Sequence, residues 1–157
     1  MKLFQNKFAT IILLAVTIIT CTSCSPQSKL PDSWQQGMEL KTTYGGGMRD
    51  YSYEIAIKDT GSYRLVTDGG KETRTSLSFT IKELDELIGF LKSKSFDRID
   101  SKTRNDIVND MGTTNITLHW DTKTLGASIG ATTDIEEADR ENFASIQAYI
   151  NKLAGNK

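Results

Sequence analysis

The chain has 157 residues, of which 38% are hydrophobic, and its 19 basic and 20 acidic side chains give a net charge of −1. This balance argues against a nucleic-acid-binding protein, which would present a basic face to phosphate groups. Both cysteines lie within the first 24 residues and there is one histidine, so the rest of the chain can assemble neither a Cys–His nucleophile pair nor a two-histidine metal site.

The first 24 residues contain, in this order, basic residues, an apolar run, small residues and a cysteine. Lys2 and Lys7 precede an uncharged apolar run of 13 residues at positions 8–20, and positions 21–24 read Cys-Thr-Ser-Cys. A run of this length matches the hydrophobic region of a signal peptide and is shorter than the roughly 20 residues that a membrane-spanning helix needs. We therefore expect an export signal over residues 1–23.

The end of this segment resembles the lipobox of bacterial lipoproteins, in which a signal peptidase cuts before a cysteine that carries a diacylglyceryl group. Cys24 fits better than Cys21, because Ser23 is small whereas Thr20 is bulkier than the residues usually found before the cut. The resemblance implies lipidation at Cys24, with palmitate-type acyl chains, and two or more such chains anchor a protein stably in a membrane. An ordinary secretory signal or an uncleaved anchor is the alternative.

Residues 24–33 are polar and hold both prolines of the chain, a composition typical of a tether. Ser25 is not the aspartate that favours inner-membrane retention in proteobacterial lipoproteins, so the resemblance favours the outer membrane of the cell envelope. The remaining residues, 34–157, have the size of a single domain. We expect this domain to meet the membrane through its lipid anchor and to bind no nucleic acid.

Period-two alternation of apolar and polar residues predicts four strands, at about 38–44, 51–58, 63–67 and 71–79. At Thr80 the period becomes helical. Thr80 and Glu83 have the spacing of a capping box, which predicts the start of an amphipathic helix. Gly89, inside this helix, suggests close packing on a neighbouring element.

The second half of the chain predicts a long polar loop at 100–112 and a hairpin with strands at 115–120 and 125–129. Thr133 and Glu136 predict a second capping box, before a helix that ends at Gly155. The order is thus four strands, helix, two strands, helix. Strands that are apolar on one side only are typical of an antiparallel sheet with one face in water. We expect an α+β fold of about six strands with both helices packed on one face of the sheet.

Few side chains suggest chemistry. His119 lies between Leu118 and Trp120 and should face solvent rather than act in catalysis. Four polar residues of the long loop offer oxygen ligands of the kind that calcium binds, but their spacing departs from the D-x-[DN]-x-[DN]-G pattern and favours polar turn residues instead. These residues are Asn105, Asp106, Asn109 and Asp110. The sequence therefore predicts no catalytic residue, no metal site and no cofactor.

A triple-glycine stretch after the first strand is the candidate binding loop. It is not a phosphate loop, because neither a lysine-serine pair nor a helix follows it. One interpretation is a flexible hairpin tip. The other is an adaptable surface for protein recognition, since tyrosine and methionine flank the glycines. The candidate protein-binding residues are Tyr44, Gly45, Gly46, Gly47, Met48 and Tyr51.

The order of parts over residues 38–154 resembles emfourin-type domains, small inhibitors of thermolysin-like metalloproteases. The likeness rests on Gly-Gly-Gly-Met at 45–48, on the run LSFTIKELDEL at 77–87 with Phe96 closing its helix, and on the later hairpin with its terminal helix. It implies a protease-inhibitory or protein-binding role through the loop at 45–50. Two functions stay open: a lipid-anchored, non-enzymatic module that binds a protease or an envelope protein, and a structural or assembly lipoprotein of the outer membrane without inhibitory activity.

Overall fold

The computed structural model describes residues 28–48, 50–106, 108, 110–155 and 157. The predicted signal peptide and Cys24 lie outside these residues. The described part has an α+β fold with a six-stranded antiparallel sheet and two helices, in agreement with the sequence. Its elements in chain order are β1 (Glu39–Gly45), β2 (Tyr51–Lys58), β3 (Tyr63–Asp68), β4 (Lys71–Ser76), α1 (Ile81–Ser93), a 3₁₀ turn (Phe96–Arg98), β5 (Ser101–Thr103), β6 (Thr113–Trp120), β7 (Lys123–Ile129), β8 (Thr133–Ile135) and α2 (Glu137–Gly155).

The large sheet has the spatial order β4-β3-β2-β1-β6-β7. The first strand, β1, is an inner strand: Leu40 lies opposite Ile57 of β2 on one side and opposite Leu118 of β6 on the other. The hairpin that follows α1 therefore adds to the edge that the first four strands leave open. As a result, the glycine loop, which joins β1 to β2, lies at the end of the two central strands and not at an edge of the sheet.

Two further strands of three residues each, β5 and β8, form a separate antiparallel pair. Segments this short do not show a readable period, which is why alternation did not predict them. The capping box predicted at Thr133 is wrong. Thr133 lies in β8, where its Oγ1 is 3.0 Å from the Oγ of Ser128, and α2 begins only at Glu137. The fourth strand also ends earlier than predicted, at Ser76.

The start of α1 agrees with the sequence. Thr80 Oγ1 accepts a hydrogen bond from the backbone N–H of Glu83 at 3.3 Å, and Glu83 Oε2 accepts one from the N–H of Thr80 at 2.8 Å. Ile81, the first residue of α1, does not join the buried face of this amphipathic helix and is 63% exposed. The close packing suggested for Gly89 is wrong, because a Cβ built there meets nothing within 4 Å.

Buried hydrophobic side chains from the sheet and from both helices form one cluster. The sheet contributes Leu40, Ile55, Ile57, Ile116 and Leu118; α1 contributes Leu84, Leu87, Ile88 and Leu91; α2 contributes Phe143, Ile146, Ile150 and Ala154. The rings of Phe90 and Tyr149 stack with centroids 4.2 Å apart, which links the two helices directly. Within the part of the chain described here, neither helix combines the length and apolar character needed to cross a bilayer.

The end of the predicted tether lies against the domain. Leu30 and Trp34 are both buried in the hydrophobic cluster. The backbone N–H of Lys29 donates to Asp97 Oδ2 at 2.8 Å, and that of Trp34 donates to Asp85 Oδ1 at 2.8 Å. Residues 28–33 are therefore held on the fold, while residues 24–27 lie outside the described part of the chain.

Candidate functional site: the cleft at the glycine loop

The glycine loop has a defined backbone. Gly46 and Gly47 have φ values of 88° and 83°, in the left-handed region that L side chains rarely adopt. A Cβ on Gly47 would lie 3.1 Å from the carbonyl oxygen of Asp110 and 3.4 Å from the backbone nitrogen of Gly112. The loop therefore packs closely against residues 110–112, and glycine is required both for the turn and for this approach.

Three tyrosines form an aromatic cluster beside the loop. Tyr44 and Tyr53 lie opposite each other on β1 and β2, with ring centroids 5.7 Å apart and planes 21° apart. The ring of Tyr51 lies 6.2 Å from that of Tyr44, at 49°, and 6.5 Å from that of Tyr53. Gln147 of α2 donates a hydrogen bond to Tyr53 Oη at 3.0 Å. Such ring pairs add about 0.5–1.5 kcal/mol each beyond area burial, which stabilises this cluster, the tyrosine wall of the site.

Gly112 fixes the position of the Tyr44 ring. A Cβ at Gly112 would lie 2.6 Å from Tyr44 Oη and 2.7 Å from its Cζ, so the ring lies directly over this glycine. Neither Gly112 nor Tyr53 was predicted as a site residue. Tyr53 could have been found from the strand register, whereas the role of Gly112 depends on where the ring lies.

The loop, Tyr44 and Tyr51 line an open cleft of about 860 Å³, within the size range of ligand sites, and Tyr53 supports the ring of Tyr44 from outside the cleft. Five of the six predicted loop residues line it; the sixth, Gly45, is the last residue of β1 and does not. Met48 at the cleft is 84% exposed. Three carboxylates that were not predicted as part of this site also line the cleft: Asp50, Asp68 and Asp110.

The residues considered for calcium do not stay together. Asp106 lies 3.7 Å from the Nε of Arg104, whereas Asp110 lines the cleft. Asn105 is exposed, and Asn109 is outside the described residues. Among the side chains that the structure describes, no group of three or more His, Cys, Asp or Glu residues could hold a metal ion.

His119 lies far from the cleft. In the β1–β6 pairing it is opposite Glu39, at one end of the sheet, whereas Gly45 and the loop are at the other end, opposite Thr113. The imidazole is exposed, as predicted, and its Nδ1 is 2.8 Å from Thr124 Oγ1.

Ion pairs elsewhere on the domain lower the pKa values of their carboxyl groups. Hydrogen bonds from Lys157 and Thr80 lower the pKa of Glu83 to about 2. The backbone N–H of Ile135, together with nearby arginines, lowers the pKa of Asp134. These carboxylates have partners within the chain, whereas no ion pair joins Asp50, Asp68 or Asp110 to another residue that the structure describes.

The chain matches no model of a known protein family, and no curated protein sequence matches it. The resemblances to lipoproteins and to emfourin-type domains thus rest on the residues quoted above.

Proposed function

We propose that this chain is a lipid-anchored, non-enzymatic protein of the cell envelope that binds another protein, a protease or an envelope component, through the cleft at the glycine loop. The observation that carries the proposal is the cleft itself, which has a tyrosine wall and an exposed methionine, Met48. Aromatic and methionine side chains are enriched at protein interfaces.

The anchor in this proposal is Cys24, at the end of the basic, apolar and small segment, with the outer membrane as the favoured location. Lys29, whose backbone nitrogen is hydrogen-bonded to Asp97, lies five positions after Cys24. A chain of this length reaches at most about 18 Å. The part of the domain near Lys29 would therefore stay close to the membrane surface.

The strand register supports display of the cleft away from the membrane. Lys29 lines a surface hollow with Trp120 and Lys123, beside the turn between β6 and β7. The glycine loop adjoins the opposite end of β6, at Thr113. The eight residues of β6 span roughly 24 Å at about 3.4 Å per residue. Anchoring at Cys24 would thus hold one end of the sheet near the bilayer and project the cleft outward.

We also propose that both helices cover the same face of the sheet, which leaves the other face open to water. Gln147 of α2 donates a hydrogen bond to Tyr53. Tyr53 and the buried Ile55 are two residues apart on β2, so their side chains lie on the same face of the sheet. The stacking of Phe90 of α1 on Tyr149 of α2 supports the same side for both helices.

A pull-down with the mature protein tests the binding role. Bait protein incubated with envelope extract should recover one main partner, and replacing residues 45–48 by an unrelated two-residue turn should abolish that recovery. The matched control replaces Asp121-Thr122, the turn at the other end of the sheet, by Asn-Gly. If the partner is retained after the loop replacement, the cleft is not the binding site.

Two further measurements separate the parts of this proposal. Inhibition of a thermolysin-type metalloprotease by the purified protein would identify the partner class as a protease. Absence of inhibition, together with altered envelope permeability on deletion of the protein, would support the structural or assembly role instead. Mass spectrometry of the mature N-terminus should show acylated Cys24, and labelled palmitate incorporation should be lost in Cys24→Ala. An acyl-free start would contradict the anchor.

A further inference from the structure

We propose that the edge strand β4 pairs with β4 of a second copy of this chain, so that the two large sheets join into one. The inference concerns the edge of the sheet rather than the cleft, and it goes beyond the proposed function. Three features carry it: free backbone groups along β4, a charge order that complements itself, and a sheet twist that brings both membrane anchors to one side.

The strand β4 is an uncovered edge of the large sheet. All six of its residues are exposed, and within the described part of the chain it pairs with β3 alone. The opposite edge, β7, is partly covered by the β5–β8 pair. There the N–H of Ser128 donates to Ser101 Oγ at 2.5 Å, and the N–H of Gly130 donates to the carbonyl oxygen of Thr133 at 2.9 Å. The two edges therefore differ, and β4 is the one open to another strand.

Alternation of the β3–β4 ladder leaves some backbone groups of β4 without a partner strand. In an antiparallel pair, every second residue bonds to the facing strand. The N–H of Leu77 donates to the carbonyl oxygen of Ser62 at 2.9 Å, which fixes the phase of this ladder. The odd-numbered residues of β4 therefore bond to β3, and the N–H and C=O groups of Glu72, Arg74 and Ser76 point outward. Such an edge is a template for pairing with another strand.

A two-fold axis at Thr73 defines the pairing of β4 with its copy. The antiparallel strands then place Glu72 opposite Arg74 of the second copy, and Arg74 opposite Glu72, while Thr73 faces itself. In this register the outward backbone groups exchange hydrogen bonds, and opposite charges on facing residues stabilise the strand pair. Registers centred on Glu72 or on Arg74 place like charges opposite each other. The order of charges on β4 thus selects one register.

Arg74 is held in position on the face of the sheet that also carries Glu72. Its Cζ lies 3.7 Å from the centroid of the Tyr63 ring. Stacking uses the flat face of a guanidinium and leaves its N–H donors free for a carboxylate. Charged residues commonly protect an edge strand from pairing. Two opposite charges two residues apart, as here, repel a strand with the wrong charge order but attract their own copy.

The twist of the sheet brings the anchors of both copies to the same side. Adjacent strands are rotated by roughly 20–25°, so β6, four strands from β4, runs at about 80–100° to it. The two-fold axis is perpendicular to the sheet at β4, and β6 therefore runs nearly along this axis and points the same way in both copies. Lys29 lies beside the turn that follows β6. With the proposed anchor at Cys24, one membrane holds both copies, and this confinement raises their effective concentration.

Disulfide crosslinking in intact cells that export the chain tests the pairing. Thr73 would face its own copy in a non-hydrogen-bonded pair, where Cα atoms lie about 4.5 Å apart, within the span of a disulfide. After mild oxidation, Thr73→Cys should yield a dimer on a non-reducing gel. The matched control is Thr75→Cys, on the same strand and face. It should crosslink at least about tenfold less, because Thr75 would face Lys71 of the second copy and not itself. The unsubstituted chain, which keeps Cys24, gives the background.

Exchange of charges tests the register. In the Thr73→Cys chain, Glu72→Lys or Arg74→Glu alone places like charges opposite each other and should lower crosslinking at least about fivefold. Coexpression of these two variants, one of them tagged, should restore crosslinking between them, since every facing pair again joins opposite charges. The amide spectrum of each purified variant should remain that of a folded protein.

The outcomes distinguish a second copy from other occupants of this edge. Crosslinking that depends on position 73 and returns on mixing the charge variants supports the pairing. Equal crosslinking from positions 73 and 75, a dimer insensitive to charge, no dimer, or an adduct with a different protein in place of the dimer would each overturn it. The proposed function is tested separately, because the pull-down replaces residues 45–48 and leaves β4 unchanged.

Discussion

Replacing Gly112 by alanine should distort the cleft without unfolding the domain. The new Cβ would lie 2.6 Å from Tyr44 Oη and 2.7 Å from its Cε2 and Cζ, far inside van der Waals contact. The φ of Gly112 is outside the left-handed region, so its backbone accepts alanine. The conflict is therefore with the ring of Tyr44, which must leave its stack on Tyr53 or displace the backbone at 112.

The expected loss of stability follows from three terms. Overpacking costs about 1–3 kcal/mol, and loss of the Tyr44–Tyr53 stack costs about 0.5–1.5 kcal/mol. Alanine also restricts the unfolded chain, which returns about 0.4–1 kcal/mol. The free energy of unfolding should fall by about 2 kcal/mol, and partner binding should weaken more than about tenfold because the aromatic wall moves.

Urea unfolding, followed by the fluorescence of the buried Trp34 and Trp120, measures the stability, and the envelope pull-down measures binding. Gly126→Ala is the matched control, since a Cβ there meets its nearest atom at 3.4 Å. Undiminished stability and partner recovery in Gly112→Ala would refute the reasoning, as would an equal loss in the control.

Four changes outside the cleft test the fold. Gly89→Ala should raise the free energy of unfolding by about 0.5–1 kcal/mol, because alanine is the better helix former and the added methyl group meets no neighbour; a lower urea midpoint would contradict this. Thr80→Ala should lower the free energy of unfolding by about 1 kcal/mol through loss of the helix cap. An unchanged urea midpoint would show that the capping box is dispensable. The Glu83 carboxylate, whose pKa falls from 4.5 to about 2 in the folded state, should stabilise the protein fully above about pH 4.5 and lose this effect as the pH falls toward 2. In Glu83→Gln the urea midpoint should therefore depend less on pH across that window. An unchanged pH dependence would argue against the Lys157 and Thr80 contacts. Leu30→Ala should cost about 2–3 kcal/mol because the side chain is buried; no change in midpoint would mean that the segment is a free tether.

Local spacing explains what the sequence predicted correctly. The capping box at Thr80 and Glu83 needs only residues three apart. The alternation that predicted β1 and β2 likewise lies within each strand. Features of this kind are visible without knowledge of the tertiary fold, and they established the α+β class and the position of the glycine loop.

The cleft could be predicted only in part, because its other members come from distant segments. Asp68 meets Tyr51 through the pairing of β2 with β3, and Asp110 meets Gly47 through packing of two loops. No spacing in the sequence relates these residues. The same reason explains Leu30, a single leucine in a polar, proline-containing stretch, whose burial depends on distant partners.

Site-specific photo-crosslinking in intact cells tests the central claim most directly. A photoreactive residue in place of Met48, which is 84% exposed at the cleft, should form one discrete adduct with a partner protein. The same residue at Thr122, exposed at the far end of the sheet, should not form that adduct. No adduct from position 48, or the same adduct from both positions, would contradict a binding site at the glycine loop.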